Sequence, residues 1–438
     1  MFISSSIGII ADDLTGANDT ALQFHFKGCN TQVLLDYAKT PWQGSAITQA
    51  WALSTESRNL VPETAVERVE IATKNLVNNY NIEHFYKKID STLRGNIAPE
   101  TMKMLEVLGW DAALILPAFP NEGRTTIGGY QLLKGIPIQL TEVARDPVAP
   151  ISESNIVSML KSQLAGICED DIVGLIPIDI VMKGAAPILF KMNELIAQGK
   201  KLIVADSVST TDIEQVILAS EKCSKKILPC GSAGAALALS DIWLTNSKHQ
   251  HISKTIPSLP KLIISGSATE LSASQLNSLR NDDDFENLYF IDIKGENIFE
   301  EQMDDIVDRA VDNLKRNNTV VINTSNLFES GDEFSNALFE KEITKKKFSS
   351  MICDYLGALA KKVVSGCEVI LITVGGETSY KCCKCLNIES IQLIDTVIPA
   401  VPLGLDPNGQ WIVTKSGNLG GQKALVDILK YFEQYKNE

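Results

Sequence analysis

Two adjacent carboxylates close the first apolar run of the sequence, in GIIADDLTGANDT (residues 8–20), where Asp12 and Asp13 precede a short polar segment with a glycine. An ionised carboxylate accepts hydrogen bonds from several hydroxyls at once and, suitably placed, takes a proton from one. The plainer role for an aspartate at a strand-to-helix turn is to cap free helix amides. One cap cannot use both side chains, so the second must be held near the sheet for another purpose.

Three further segments that follow apolar runs carry related chemistry. STESRN ends in Arg58 and Asn59, DSTLRGN covers residues 90–96, and AFPNEGRTT contains Arg124. Arg58 and Arg94 offer planar forks matched to a carboxylate, while the aspartates and Asn96 suit hydroxyl groups. Each piece has a bland reading: Ser91 and Thr92 as caps of a helix starting near Leu93, Arg94 as the partner of a neighbouring acid. The argument therefore rests on convergence, because ligands of parallel α/β sheets gather at the carboxyl ends of the strands. Four such loops on one rim predict a site for a small polyhydroxy acid.

The second half has a different vocabulary. SGSAT (residues 265–269), VGGETS (374–379) and KSGNLGG (415–421) each follow an apolar run and are rich in glycine and hydroxyls. Glycine lets backbone amides approach a ligand closely, and helix N-termini carry partial positive charge, so such loops suit phosphate groups. Lys415 offers a neutralising charge, ranked lower because a lysine after a strand is usually solvated. There is no G-x-x-x-x-G-K-[ST] loop and no G-x-G-x-x-G after a strand, so the P-loop and ordinary dinucleotide folds lose support. A polyol-like half and a phosphate-like half point to phosphoryl transfer from ATP, with Mg²⁺ bridging the phosphates and Asp12 orienting or deprotonating the attacked hydroxyl.

These loops need elements to position them. Apolar strand-like runs alternate with helical stretches: SSIGII, TQVLLD, ITQAWAL, HFYKKI, AALILP, IVGLIPI and KLIVAD in the first half, with an amphipathic helix over PETAVERVEIATKNLVNN. Residues 230–243 read as a helix packed tightly on a sheet. The polar segment 245–261, with two prolines and no apolar period, reads as a linker. Beyond it come KLIISG, NLYFIDI, TVVINTS, EVILITVGG, ESIQLIDTVIPAVPLGL and QWIVTKSG, with helical intervals over residues 302–317 and 335–364. The expected architecture is two α/β domains with largely parallel sheets, residues 1–245 and 261–438 joined by a linker at 246–260, with the active site in the cleft between them.

ADDLTGANDT, KKIDSTLRGN, GGETS and KSGNLGG, in that order, resemble the four-carbon acid sugar kinase family over essentially the whole chain. The combination is specific, although no single piece is. The resemblance implies an N-terminal sugar-acid-binding domain, a C-terminal ATP-binding domain, and phosphorylation of the terminal hydroxyl of a four-carbon sugar acid. Carried over by position, it implies that Asp12, Arg58, Lys88, Asp90, Ser91 and Arg94 bind the acid. It likewise implies that Ser265, Gly375, Gly376, Glu377, Thr378, Gly417 and Gly420 bind ATP. The KKIDSTLRGN segment is similar to threonate and erythronate kinases, whereas 3-oxo-tetronate kinases tend to read STFDSTPKGN, so D-threonate is the expected substrate with D-erythronate next. In such a setting a dehydrogenase would oxidise and decarboxylate the 4-phosphate.

Composition narrows the rest. A net charge of −14 excludes a general nucleic-acid binder, and no apolar run reaches the ~20 residues that span a bilayer. Nine scattered cysteines and no signal-peptide pattern suit a cytoplasmic location. KCCKC (residues 381–385) lacks a second Cys or His pair, so no metal site is expected there. No pattern fixes an oligomeric state, and a homodimer is expected only because small α/β kinases often pair. Two rivals stand. An aspartate-nucleophile phosphatase would need its two aspartates separated by one residue, and a two-domain sensor would bind both ligands without forming ADP.

Overall fold

The apolar runs are continuous rather than alternating because the strands they form are covered on both faces, as parallel strands must be. All five residues of β1 (Ile7–Ala11) are buried. The structure, a computed structural model, describes residues 6–39, 48–80, 82–145, 149–168, 170–244, 255–329 and 343–435. It divides into two compact units, Met1–His251 and Ile252–Glu438. Most of the expected linker lies outside the described residues.

In the first unit, β1 is joined by β2 (Thr31–Leu34), β3 (Ala50–Ser54), β4 (His84–Lys88) and β5 (Ala112–Leu116). Next in the chain come β6 (Arg124–Ile127), β7 (Tyr130–Leu133) and β8 (Ile136–Pro137), then β9 (Val173–Ile176), β10 (Leu202–Ala205) and β11 (Ile227–Gly231). The main sheet runs β2-β3-β1-β4-β11-β5-β10-β9, and its pairings are parallel. Helices α1 (Leu14–His25), α2 (Pro62–Asn79) and α3 (Ile97–Leu108) follow β1, β3 and β4. All three therefore begin at the carboxyl edge of the sheet.

Two sequence expectations change here. Residues 118–137 are not an open loop: β6, β7 and β8 make a small antiparallel sheet of their own. Buried Asp206, just past β10, accepts from the amides of Gly128 (2.7 Å) and Gly129 (2.8 Å), which pins the β6–β7 turn. Gln131 of β7 then donates to the Ser91 carbonyl at 2.7 Å, so this sheet braces the DSTLRGN loop. Nor does a helix start near Leu93, which has a left-handed φ of +65°. Helix α3 starts at Ile97, and Ser91 and Thr92 cap nothing.

The second unit contains β12 (Lys261–Ser265), β13 (Leu288–Asp292), β14 (Thr319–Asn323), β15 (Ile370–Val374), β16 (Ser390–Ile398), β17 (Val401–Leu405) and β18 (Trp411–Lys415). Their order is β13-β14-β12-β15-β18-β17-β16. The run read as ESIQLIDTVIPAVPLGL is a hairpin: the chain reverses at Pro399 and Ala400 (φ +61°), and β16, β17 and β18 pair antiparallel while the rest are parallel. The expected helix over 302–317 forms as Asp304–Lys315. That over 335–364 forms as Lys345–Gly366, its first expected residues lying outside the described ones. No described helix is long and apolar enough to cross a membrane.

One ion pair under the first unit's sheet edge is wholly enclosed. Lys87 of β4 and Glu100 of α3 meet at 2.8 Å with side chains 0% and 1% exposed. Removing one partner of such a pair strands the other charge in the core. Lys87→Met is therefore expected to lower unfolding stability by about 3–5 kcal/mol, measured by denaturant titration, and the double variant with Glu100→Leu should recover most of it.

Candidate active site

The centre of the first unit's edge is a single guanidinium. Arg58, from the loop after β3, reaches the turn between β1 and α1. Nε and Nη2 donate to Asp12 at 2.9 Å each, while Nη1 and Nη2 donate to Asp13 at 2.5 and 2.7 Å. Four of its five N–H donors are thereby used. Adjacent side chains on extended backbone diverge, and the guanidinium lies between them, one edge to each carboxylate. Asp13 is also the N-cap of α1, accepting from Gly16 N at 2.8 Å and from Thr15 Oγ1 at 2.8 Å. Both halves of the capping argument hold: one aspartate caps and the other is kept at the sheet.

Burial opposes the charge on Asp12, but Arg58 first, then Lys87 and Lys88, hold its carboxyl below the usual range. Burial likewise opposes charge on Arg58, and Asp12, Asp13 and Asp90 more than offset it. Asp90, the first residue of DSTLRGN, accepts from Arg94 Nε (2.7 Å) and Nη2 (3.2 Å) and from the Thr92 hydroxyl. Against its burial, Arg94 and Arg58 hold it well below the usual carboxylate range. Lys88 is buried, with Nζ donating to the Ile89 carbonyl at 2.9 Å. Gly95 (φ +95°) passes so close that a Cβ there would stand 3.2 Å from Asp12 Oδ2, so a side chain at this position would press on the central carboxylate.

The first unit thus brings Asp12, Arg58, Lys88, Asp90, Ser91 and Arg94 to one edge. Asn96 does other work than hydroxyl recognition: its Nδ2 donates to the Leu60 (2.9 Å) and Ser57 (3.3 Å) carbonyls and ties two loops together. Arg124 turns back onto Glu122 of its own loop. A residue passed over in the sequence is Glu56. It has a left-handed φ of +46°, accepts from Leu14 N (2.7 Å) and Ser54 Oγ (2.6 Å), and is pushed up to about 8 by burial and the charge of Asp13. Its place in STESRN, beside Arg58, is the signal that could have found it.

In the second unit the three glycine loops come together at the carboxyl ends of β12, β15 and β18. Gly266 N donates to the Val374 carbonyl (3.2 Å), Gly375 N to that of Lys415 (2.8 Å), and Thr269 Oγ1 to that of Gly417 (3.1 Å). Thr269 caps the helix Glu270–Arg280. Gly375 (φ +111°) precedes the helix Gly376–Cys385, whose first turn carries Glu377 and Thr378. A Cβ on Gly417 would run into Ser267 Oγ, so this approach needs a residue without one. Ser265 Oγ is buried with no hydrogen-bond partner among the described residues. Gly420 (φ +81°) lies where Gln275 Nε2 bonds the Leu419 and Gly421 carbonyls.

Lys415 departs from the sequence ranking. It is fully buried, its Nζ bonds only the Ser416 carbonyl (2.9 Å) among the described residues, and burial pushes it down to about 8. Cys382 and Cys383 of KCCKC are buried within the helix Gly376–Cys385, and no group of three or more His, Cys, Asp or Glu among the described residues could hold a metal ion.

A polar, guanidinium-centred edge thus lies in one α/β unit and converging glycine loops in the other. Residues 7–239 match the family model of a sugar-binding N-terminal domain, and residues 262–425 that of a nucleotide-binding C-terminal domain. The chain belongs to the four-carbon acid sugar kinase family. It is 29% identical to the D-erythronate kinase of Heliobacterium modesticaldum, covering 98% of this chain and 97% of that one. It is 28% identical to the D-threonate kinase of Salmonella typhimurium (97% and 98%) and 25% identical to the 3-oxo-tetronate kinase of Pseudomonas fluorescens (95% and 94%). The fold is that of a Haemophilus influenzae protein of known structure, with a TM-score of 0.72 at 24% identity over 98% of this chain and 99% of that one.

Lys415 gives a test by stability. Folding lowers its pKa from 10.5 to about 8, so between those values the unfolded chain binds more protons and stability rises with pH. At pH 7 Lys415→Met should be more stable than wild type by on the order of 3 kcal/mol, with the gap closing as pH climbs from about 8 to 10.5. Urea titrations that agree for the two proteins at pH 7 would contradict this.

Proposed function

We propose that the chain transfers the γ-phosphoryl group of ATP to the C4 hydroxyl of a four-carbon sugar acid, D-threonate foremost. The observation that carries this reading is the division of chemistry between the units: carboxylates and guanidinium groups at one sheet edge, glycine loops around a buried ammonium at another. The KKIDSTLRGN motif supports a threonate or erythronate acceptor over a 3-oxo acid, and the relatives include kinases for all three.

The acid would sit against the first unit, with Arg58, Lys88, Asp90, Ser91 and Arg94 around it. Asp12, kept ionised by Arg58, would accept from the substrate's hydroxyls and orient them. The same pairing makes it a poor proton acceptor, so of the two roles expected for Asp12 we retain orientation. In the second unit, Ser265, the segment from Gly375 to Thr378, Gly417 and Gly420 would hold ATP, with backbone amides on the phosphates and Lys415 balancing their charge. Mg²⁺ would travel on those phosphates and spread the charge that develops on the transferred group. Exclusion of water from the reacting groups would protect ATP from hydrolysis.

The test is coupled ADP release with ATP and Mg²⁺ against D-threonate, D-erythronate, L-threonate and 3-oxo-tetronate in parallel. Turnover is expected with D-threonate above the others. Asp12→Asn should lose roughly 10²-fold or more of it while ATP binding by calorimetry stays within about twofold. ATP binding with no ADP from any of the four acids would replace the kinase reading with that of a sensor.

A further inference from the structure

The carboxylates around the first unit's edge are almost all committed. Both oxygens of Asp12 and of Asp13 take Arg58, Asp90 takes Arg94 and Thr92, Glu56 takes Leu14 N and Ser54, and Glu100 takes Lys87. Asp19 is different. It stands in the second turn of α1, four residues after Thr15, and among the described residues its carboxylate receives one long hydrogen bond, from Gln23 Nε2 at 3.4 Å.

Lys88 complements it. Its Nζ lies beside α1, where a Cβ on Gly16 would be 3.1 Å away. Its single hydrogen bond goes to the Ile89 carbonyl, and no carboxylate among the described residues is within ion-pair distance of it. Lys88 and Asp19 nevertheless feel each other's charge. Lys88 Nζ stands over Gly16, three residues before Asp19 and so on the same face of α1. A lightly partnered ammonium and carboxylate on one helix face match the two sides of a hydroxyl: the ammonium donates to its oxygen and the carboxylate receives its proton.

We propose that Asp19 is the proton acceptor for the hydroxyl that attacks ATP, and that Lys88 holds that hydroxyl's oxygen. The inference rests on the kinase reading above. As the hydroxyl oxygen bonds to the γ-phosphorus, its proton passes to an Asp19 oxygen. The bond from the γ-phosphorus to the β,γ-bridging oxygen breaks and ADP leaves; Asp19 then returns the proton to water. The groups facing Asp19 fit this task. Burial is the largest influence, Lys88 of β4 opposes it, and Glu122 of the turn after β5 and Asp13 of the β1–α1 turn add to it, while Tyr86 of β4 is a neutral neighbour. The balance pushes Asp19 up to about 6, ionised at neutral pH and more basic than Asp12.

The test compares Asp19→Asn and Asp19→Glu with wild type in the ADP-release assay from pH 5 to 9. For Asp19→Asn, kcat should fall roughly 10²- to 10⁴-fold while KM for both substrates stays within about threefold. The wild-type kcat/KM should decline below a pH of about 6, and Asp19→Asn should lose that limb while Asp19→Glu recovers part of the turnover. Turnover of Asp19→Asn within about threefold of wild type, or a loss confined to KM with the acid limb unchanged, would overturn the inference. If Asp19→Asn fails to fold by circular dichroism, the wild-type profile decides, because activity that persists undiminished to pH 5 overturns the assignment. The kinase reading is judged separately: wild type inactive on all four acids would sink it, and this inference with it.

Discussion

The first unit depends on one buried guanidinium shared by two carboxylates. Arg58 cannot leave without stranding Asp12 and Asp13, two like charges adjacent in the chain at the end of a covered strand. The backbone repeats the connection, since the amides of Ser57 and Arg58 donate to the Asp12 carbonyl at 2.9 and 3.2 Å. The start of α1, the loop after β3 and the DSTLRGN turn are thereby fixed to one another. The close pass of Gly95 beside Asp12 and the tie from Asn96 to the Leu60 carbonyl complete the link. A small acid can be recognised stereochemically only by groups held this firmly.

The second unit solves the opposite problem. An edge made for phosphates must present donors and positive charge without carrying a salt bridge that competes with the ligand. Its loops supply hydroxyls, the first-turn amides of the helix Gly376–Cys385 and Lys415, whose ammonium is buried with a carbonyl as its one hydrogen-bond partner among the described residues. Such a lysine is destabilising until an anion arrives, a common arrangement where function and stability conflict. A chain with a net charge of −14 needs such local reversals of sign to hold anionic substrates at all.

Much of this is legible in the sequence, for identifiable reasons. Strands such as IGIIA and LIVA show up as unbroken apolar runs because they are buried on both faces. The acidic and glycine-rich loops show up because they interrupt those runs at the sheet edge. What stays hidden depends on partners distant in the chain. Arg58 and Asp12 are 46 positions apart, so the sequence displays a fork free for a ligand where the fold closes that fork on two aspartates. Asn96 reads as a ligand group for the same reason, its partners lying in the loop after β3; Arg124 is taken up by Glu122 of its own loop. The antiparallel pieces β6 to β8 and β16 with β17 were masked by their short length or by apolar continuity through the turn at Ala400. Asp19 looks like an ordinary solvated helix acid until its half-buried place beside Lys88 is known, and Lys415 like a solvated lysine at a strand end until its burial is known.

Transfer of phosphate to the terminal hydroxyl of a four-carbon acid is read directly by proton-coupled ³¹P NMR of the purified product. A phosphomonoester on C4 couples to the two methylene protons, which are diastereotopic, and gives a doublet of doublets that collapses to a triplet where the two couplings match, which is the predicted result. A doublet would place the phosphate on a secondary hydroxyl, and inorganic phosphate alone would mean ATP hydrolysis without an acceptor. Either would contradict the arrangement of substrate against the Arg58 hub.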